Sequence, residues 1–272
     1  MVQRDNVIQD RYLADGFYAH PDPVIPGAVV AAAVAGMEAV IQGEYETNEP
    51  PQPSPWQPGD DPASKLVKIE MPQIASLAIR ALLNEPALGE LAARVTGAGA
   101  VQVWWVQLLR KPPARPGVAA TTNVGWHQDR HYWDVWDDDS ELFTAWVALS
   151  DVTTASGAMR FVRGSHHWGL GDESDFHGQD LDALRARIAA DGDGSWDEVA
   201  AVLPPGGASF HHSLTYHASG PNLSAGPRRS FAVHLRTENS RPRDDRRSGL
   251  AQFIDNLDYC PVIYGKRADF RG

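Results

Sequence analysis

Gly125-Trp126-His127-Gln128-Asp129-Arg130-His131-Tyr132 is the stretch from which the rest of the chain is best read. His127 and Asp129 stand two apart. On an extended strand the side chains at i and i+2 leave the same face, so an imidazole and a carboxylate would enter one space. A further imidazole from a distant strand would complete the two-histidine, one-carboxylate face that holds non-haem Fe(II) with positions left open. His217, within His212-Ser-Leu-Thr-Tyr-His-Ala-Ser-Gly220, is the candidate, and His211 and His212 are its competitors. His131 lies four after His127, a helical zinc spacing, but no glutamate or third helical ligand accompanies it. A bare His-x-Asp is weak alone, because such triplets arise by chance.

Working outward, Val101 to Leu109 alternates and is rich in β-formers, which predicts a strand. A loop bearing glycine and proline, 111–123, leads into the His127 strand. Further strands are expected at Leu142 to Leu149, Ala158 to Val162, Ala208 to His211, Leu214 to His217 and Arg229 to Thr237. Residues 167–204 break that rhythm with many aspartates and a helical pattern through Leu181, Leu184 and Ile188. Before Val101 the pattern is helical: an amphipathic segment at 5–20, then Ala28 to Gln42, Pro72 to Asn84 and Pro86 to Val95, with a short strand at Lys65 to Met71. Prolines at 50, 51, 53, 55, 58 and 62 make 44–62 a loop, read as a surface excursion rather than a flap. The fold class expected is mainly β with flanking α-helices, a jelly-roll. One domain should span 1–272, with a helical part to about 98, a core from about 99 to 240 and a C-terminal extension, 241–272, whose alternating apolar residues have no assigned place.

Hydrophobic residues at 43% are enough for a proper core, which excludes wholesale disorder. A net charge of −11 argues against nucleic acid as a partner. The basic run Arg241 to Arg247 is interrupted by two aspartates and reads as a solvated loop, as does Asp137-Asp138-Asp139. Cys260 is the sole cysteine, so no intrachain disulfide forms. The start lacks an apolar signal core and the greasy run Ala28 to Ala35 is too short to span a bilayer. A cytoplasmic protein with a small-molecule substrate and no membrane partner is expected.

After the His-x-Asp come Ala145-Trp-Val-Ala-Leu149, Ser156-Gly-Ala-Met-Arg-Phe-Val-Arg-Gly-Ser-His166, then His217, Ser219-Gly220 and, after Gly226-Pro227, Arg228. That order and spacing resemble the phytanoyl-CoA dioxygenase (PhyH-like) family of Fe(II)/2-oxoglutarate-dependent oxygenases, over about Val101 to Arg236. Arg163 departs from the pattern where many relatives have proline before Gly-Ser-His; it touches a turn and not the metal. The resemblance implies a double-stranded β-helix (jelly-roll, cupin-like) core and the cofactors Fe(II), 2-oxoglutarate and O2. It implies His127, Asp129 and His217 as metal ligands. Arg228 matches the cation for the cosubstrate's far carboxylate, Ser219 a supporting hydroxyl, and Trp146 an aromatic beside the cosubstrate. A guanidinium suits the first task because it gives two parallel charge-assisted bonds. Arg229 is the rival, but adjacent strand residues face opposite sides. Gln107, on the strand before the iron strand, is placed to reach cosubstrate or substrate.

Hydroxylation of a natural-product-like molecule, with release of succinate and CO2, is the activity implied, in secondary metabolism. Desaturation, epimerisation and ring formation use the same oxidant. A non-oxidative cupin-type hydrolase or isomerase is the other class, which has no reason to keep Arg228; a binding protein with a dead site would have lost a ligand. A halogenase would lack Asp129. His131, Tyr132 and Trp133 are the expected substrate-pocket wall, and no strong basic patch is present for coenzyme A. His212 is read as a stacking residue or a partner behind the ligands, His166 and His167 are structural, and Trp104 and Trp105 are divided between core and surface.

Overall fold

The computed structural model describes residues 2–115, 122–191, 196–244 and 247–270. Parts of the loop 111–123, of the acidic stretch 167–204 and of the basic run 241–247 lie outside the described residues. In chain order the elements are α1 (Val2–Asp15), β1 (Phe17–Ala19), α2 (Gly27–Gln42), β2 (Val67–Glu70), α3 (Leu77–Leu83), α4 (Pro86–Thr96), β3 (Val101–Lys111), β4 (Val124–His127), β5 (Leu142–Ala148), β6 (Met159–Val162), α5 (Leu181–Asp191), β7 (Glu198–Ala201), β8 (Ala208–His212), β9 (His217–Ser219), β10 (Arg228–Thr237) and β11 (Val262–Tyr264).

These strands make two antiparallel sheets. The larger runs β1-β8-β5-β10-β3-β11, with β2 also on β3, and the smaller runs β4-β9-β6-β7. Together they are the jelly-roll that the alternation suggested. Strand periodicity decides what each face holds. On β10, Phe231, Val233 and Leu235 join the helices α2 to α4 in one core, while Ala232 turns to the space between the sheets with Trp146, Met159 and Phe161. On β5, Phe143, Ala145 and Val147 face the helices and Trp146 and Ala148 face inward.

Helix α2 follows Pro26 and stops at Gly43, whose left-handed φ of 84° lets its N–H close on Ala39 and Val40 carbonyls. Its Val30, Ala33, Met37, Val40 and Ile41 are buried against the larger sheet. Among the described residues no helix is long and apolar enough to cross a membrane.

Several expectations shift. The strand placed at Leu214 to His217 is instead a turn followed by β9, because Leu214 donates its N–H to the His212 ring and Thr215 to the His212 carbonyl. The proline-rich loop runs over the surface, as expected, but is pinned to the body and lends Pro53 to a chamber wall. Gln52 bridges Glu70, the Ser54 hydroxyl accepts the Glu70 N–H at 2.9 Å, and buried Trp56 donates to the Ile41 carbonyl at 3.1 Å. The unassigned C-terminal tail folds back as β11 beside β3, and Gln102 donates to the carbonyls of Ile254 and Cys260 at 2.6 and 2.9 Å.

Candidate active site

β4 ends at His127 and β9 begins at His217, and the two are register partners across the ladder. Their rings lie 4.1 Å apart. Asp129 is not on the strand, as alternation suggested, but opens a 3-10 turn, Asp129–Tyr132. Gln128 keeps extended angles, φ −110° and ψ 129°, so the carboxylate still enters the space that His127 faces. One ligand atom from each of His127, Asp129 and His217 falls within 4.8 Å of the others. Asp129 Oδ1 sits 3.7 Å from Nε2 of both histidines.

Hydrogen bonds behind these atoms fix which ones face the centre. His127 Nδ1 lies 2.8 Å from the Gly125 carbonyl and His217 Nδ1 2.9 Å from the Thr215 carbonyl. A carbonyl only accepts, so each Nδ1 carries the proton and each Nε2 keeps its lone pair. Asp129 Oδ2 accepts from Thr144 Oγ1 at 2.7 Å and from His211 Nε2 at 3.1 Å, which leaves Oδ1 free. Burial works to raise the Asp129 pKa, but His217, His211 and His234 outweigh it and hold the carboxylate well below its usual range. Burial lowers His127 and His217, so both imidazoles are neutral. Two neutral imidazole nitrogens and one ionised oxygen are the donor set of a borderline divalent ion such as Fe(II).

A narrow inner chamber of about 30 Å³ is lined by this centre together with Trp146 and Arg228. Arg228 is 1% exposed, donates to Ser219 Oγ at 2.9 Å and to the Gly157 carbonyl, and lies 5.1 Å over the Trp146 ring. Gly157 holds a φ of +73°, and a Cβ there would meet the Gly220 carbonyl oxygen at 2.6 Å. Burial lowers Arg228 to about 10, still charged at neutral pH. Its Nε is buried without a partner, and among the described residues no carboxylate pairs with it. Behind it Lys111, fully buried, donates to the Ser219 carbonyl, the Ser219 hydroxyl and the Gly220 carbonyl. Burial and the neighbouring guanidinium push this ammonium well below the usual lysine range. A buried cation with an unmet donor and no protein anion is a site for an anionic ligand.

A larger outer chamber of about 380 Å³ also borders the centre. Its walls are aromatic, from Trp105, Tyr132, Trp133 and Phe176, with the ion pair Lys68–Glu70 at 3.2 Å on β2. Gln107, His127, Asp129, Phe176 and His234 border both chambers. Phe176 stands edge-on to His127, ring centres 5.1 Å apart. Its N–H donates to the Tyr132 hydroxyl at 3.0 Å and its carbonyl accepts from Gly125 N at 3.0 Å. Gly125 is glycine for a steric reason: a Cβ there would lie 2.0 Å from the Asp175 carbonyl oxygen.

The sequence profile described as phytanoyl-CoA dioxygenase (PhyH) matches residues 12–230. The chain belongs to this family. A curated relative, "Probable phytanoyl-CoA dioxygenase" of Caenorhabditis elegans, is 28% identical over 138 residues, 47% of this chain. The match takes in only 40% of that relative's length. The fold is shared with the non-heme alpha ketoglutarate dependent epimerase SnoN from nogalamycin biosynthesis, at TM-score 0.66 and 23% identity, covering 90% of this chain and 87% of that one. It is likewise shared with the alpha ketoglutarate dependent carbocyclase SnoK, at TM-score 0.67 and 24% identity over 87% and 85% of the two chains. The non-heme monooxygenase ThoJ, in a complex with nickel, overlays at TM-score 0.64 and 22% identity, covering 97% and 86%.

Of the family positions read in the sequence, Ser219 and Trp146 meet Arg228 and Gln107 borders both chambers. Arg229 points outward to Glu38, at 2.6 Å. Tyr132 and Trp133 border the outer chamber, but His131 does not and is exposed. The 3-10 turn explains this, since side chains at i and i+3 eclipse and Asp129 therefore shares its face with Tyr132. Of the two roles read for His212, the ring contact is found, with His166 at 5.5 Å, and the partnership behind the ligands is not. That role falls to His211, because inward and outward side chains alternate on β8 and His212 turns toward His166. Trp104 and Trp105 are both buried: the register between β10 and β3 shifts at His234/Leu235, and the extra residue puts both indoles on the inner side. Thr144, Lys111, His234, Lys68, Glu70 and Phe176 carried no local motif, and only the pairing of distant segments reveals them.

Proposed function

We propose that the chain is an Fe(II)/2-oxoglutarate-dependent oxygenase that hydroxylates a small, ring-bearing molecule and releases succinate and CO2. The observation that carries this is one chamber lined by two kinds of group: two Nε2 atoms and Asp129 Oδ1 gathered within 4.8 Å of one another, and an anion-seeking Arg228. In this reading His127, Asp129 and His217 hold the iron, and 2-oxoglutarate lies along the inner chamber with its far carboxylate against Arg228 and Ser219. Fe(II) with 2-oxoglutarate, when bound, supplies the activation of O2. The chain's own part is to keep both imidazoles neutral and aimed, to hold Asp129 ionised through Thr144 and His211, and to exclude water with Trp146 and Phe176. The outer chamber would receive the substrate against Trp105, Trp133 and Phe176. We read the whole chain as one cytoplasmic catalytic unit whose partner is a small molecule.

A second reading, epimerisation or ring closure in natural-product biosynthesis, is favoured by the shared fold with SnoN and SnoK. Incorporation of an oxygen atom from 18O2 into product separates it from hydroxylation.

The test is spectroscopic. Anaerobic addition of Fe(II) and 2-oxoglutarate should give a weak visible charge-transfer band, and Asp129→Ala should remove it. Arg228→Ala should weaken 2-oxoglutarate binding about tenfold or more while iron is retained, since a charge-assisted hydrogen bond is worth roughly 1.5–3 kcal/mol. The same loss in Arg229→Ala instead would reject the cosubstrate position.

A further inference from the structure

His234 lies on β10 opposite Thr144 and borders both chambers. It is 4% exposed, stacked on Trp104 at 5.4 Å and met edge-on by Trp133 at 4.8 Å. Its Nδ1 is 2.9 Å from Thr144 Oγ1, and that hydroxyl is 2.7 Å from Asp129 Oδ2. A hydroxyl has one proton, and an ionised carboxylate can only accept. The Thr144 proton therefore goes to Asp129, and the proton on the second hydrogen bond comes from His234 Nδ1. The neutral ring has only one N–H, so Nε2 carries a bare lone pair. Nε2 has no partner among the described residues and, unlike the orphaned buried nitrogens elsewhere, is not sealed from the cavity. Glu70, a carboxylate on this wall, already accepts from Trp105 at 2.6 Å and Gln107 at 3.4 Å and pairs with Lys68.

A carboxylate cosubstrate offers only acceptors and gains nothing from a lone pair. A hydroxyl or N–H does. Resting on the reading of the outer chamber as the substrate pocket, we propose that His234 is a substrate-positioning residue. Its unprotonated Nε2 accepts a hydrogen bond from a hydroxyl or N–H on a ring-bearing substrate, beside the iron centre and between Trp104 and Trp133. Thr144 then serves both sides, orienting the metal's carboxylate with its proton and the substrate's acceptor with its lone pair.

The experiment is 15N NMR of histidine-labelled protein with Zn(II) in place of iron, His234 being assigned by its loss in His234→Phe. The expected result is a His234 ring protonated at Nδ1 and bare at Nε2, with that preference lost in Thr144→Val. Benzyl alcohol should shift the Nε2 resonance saturably, whereas benzyl methyl ether at the same concentration should not. Its affinity should fall about fivefold in His234→Phe, the worth of one hydrogen bond. An Nε2-protonated ring, an ether as effective as the alcohol, or no response to either overturns the proposal. The Nε2 resonances of His127 and His217 report the metal in the same spectra. A failure of the iron reading would appear there and not at His234.

Discussion

Apart from Asp129 and Phe176, the inner chamber is lined from strands, among them Leu109 and Gln107 of β3, Thr144 and Trp146 of β5, Met159 of β6, and Arg228, Ala232 and His234 of β10. Each of these is fixed by ladder register, so its neighbours are set by pairing as well as packing. The outer chamber adds to strand residues such as Lys68, Trp105 and Gln107 a larger share from outside the strands: Pro53 from the proline-rich loop, Tyr132 from a 3-10 turn, Leu250 from the tail and Phe176, which it shares with the inner chamber. Chemistry common to a family needs fixed distances, which strands give. Substrate choice needs a surface that can vary, which loops give without disturbing the ladder. If this division is real, perturbing inner groups should cost stability, while outer groups should be cheap to change.

Lys111 offers the hardest test. Replacing it by Met keeps most of the volume but leaves buried oxygens of Ser219 and Gly220 without their donor. Each unmet buried group costs roughly 1–3 kcal/mol, so Lys111→Met should lower unfolding free energy by about 3 kcal/mol in urea titrations. Because Ser219 also holds Arg228, the KM for 2-oxoglutarate should rise. Lys68→Met in the outer chamber breaks a partly exposed pair and should cost less than about 1 kcal/mol. Equal losses in the two variants would erase the distinction between the chambers.

That contrast also governs what the sequence made legible. The spacing of His127 and Asp129 could be read from strand geometry and His217, Ser219 and Arg228 from the family resemblance, whereas Thr144 and His234 on the same inner chamber could not be read at all. His131 groups in sequence with Tyr132 and Trp133 as pocket wall, but the 3-10 turn that begins at Asp129 turns it away from the chamber. Trp105 was misplaced because a β-bulge leaves no mark in a tryptophan pair. Phe176 and Pro53 were invisible as wall residues: their positions depend on how loops dock, and no periodicity encodes that.

Gly125 joins the two regions, being on the iron strand and under the loop that carries Phe176. Gly125→Ala would drive a Cβ to within 2.0 Å of the Asp175 carbonyl oxygen, backbone that cannot rotate aside. The loop must lift, at about 1–3 kcal/mol. Faster proteolysis within 169–180, with iron content unchanged, is the expected outcome. Loss of iron together with the loop would mean that the loop supports the metal site itself.

The smallest effect should come from Tyr132→Phe. Its ring remains against the outer chamber, and only the hydroxyl that accepts the Phe176 N–H at 3.0 Å is removed. That donor is near solvent, so water replaces the partner and the cost is about 0.5–1.5 kcal/mol or less. Global stability should barely move, while amide hydrogen exchange at Phe176 should quicken several-fold, because the other tie, from Gly125 N to the Phe176 carbonyl, remains. Exchange that quickens also along β4 and β9 would show that the loop and the ladder open as one unit. Exchange confined to Phe176 and its neighbours would show that the outer wall loosens while the His127–His217 register stays shut.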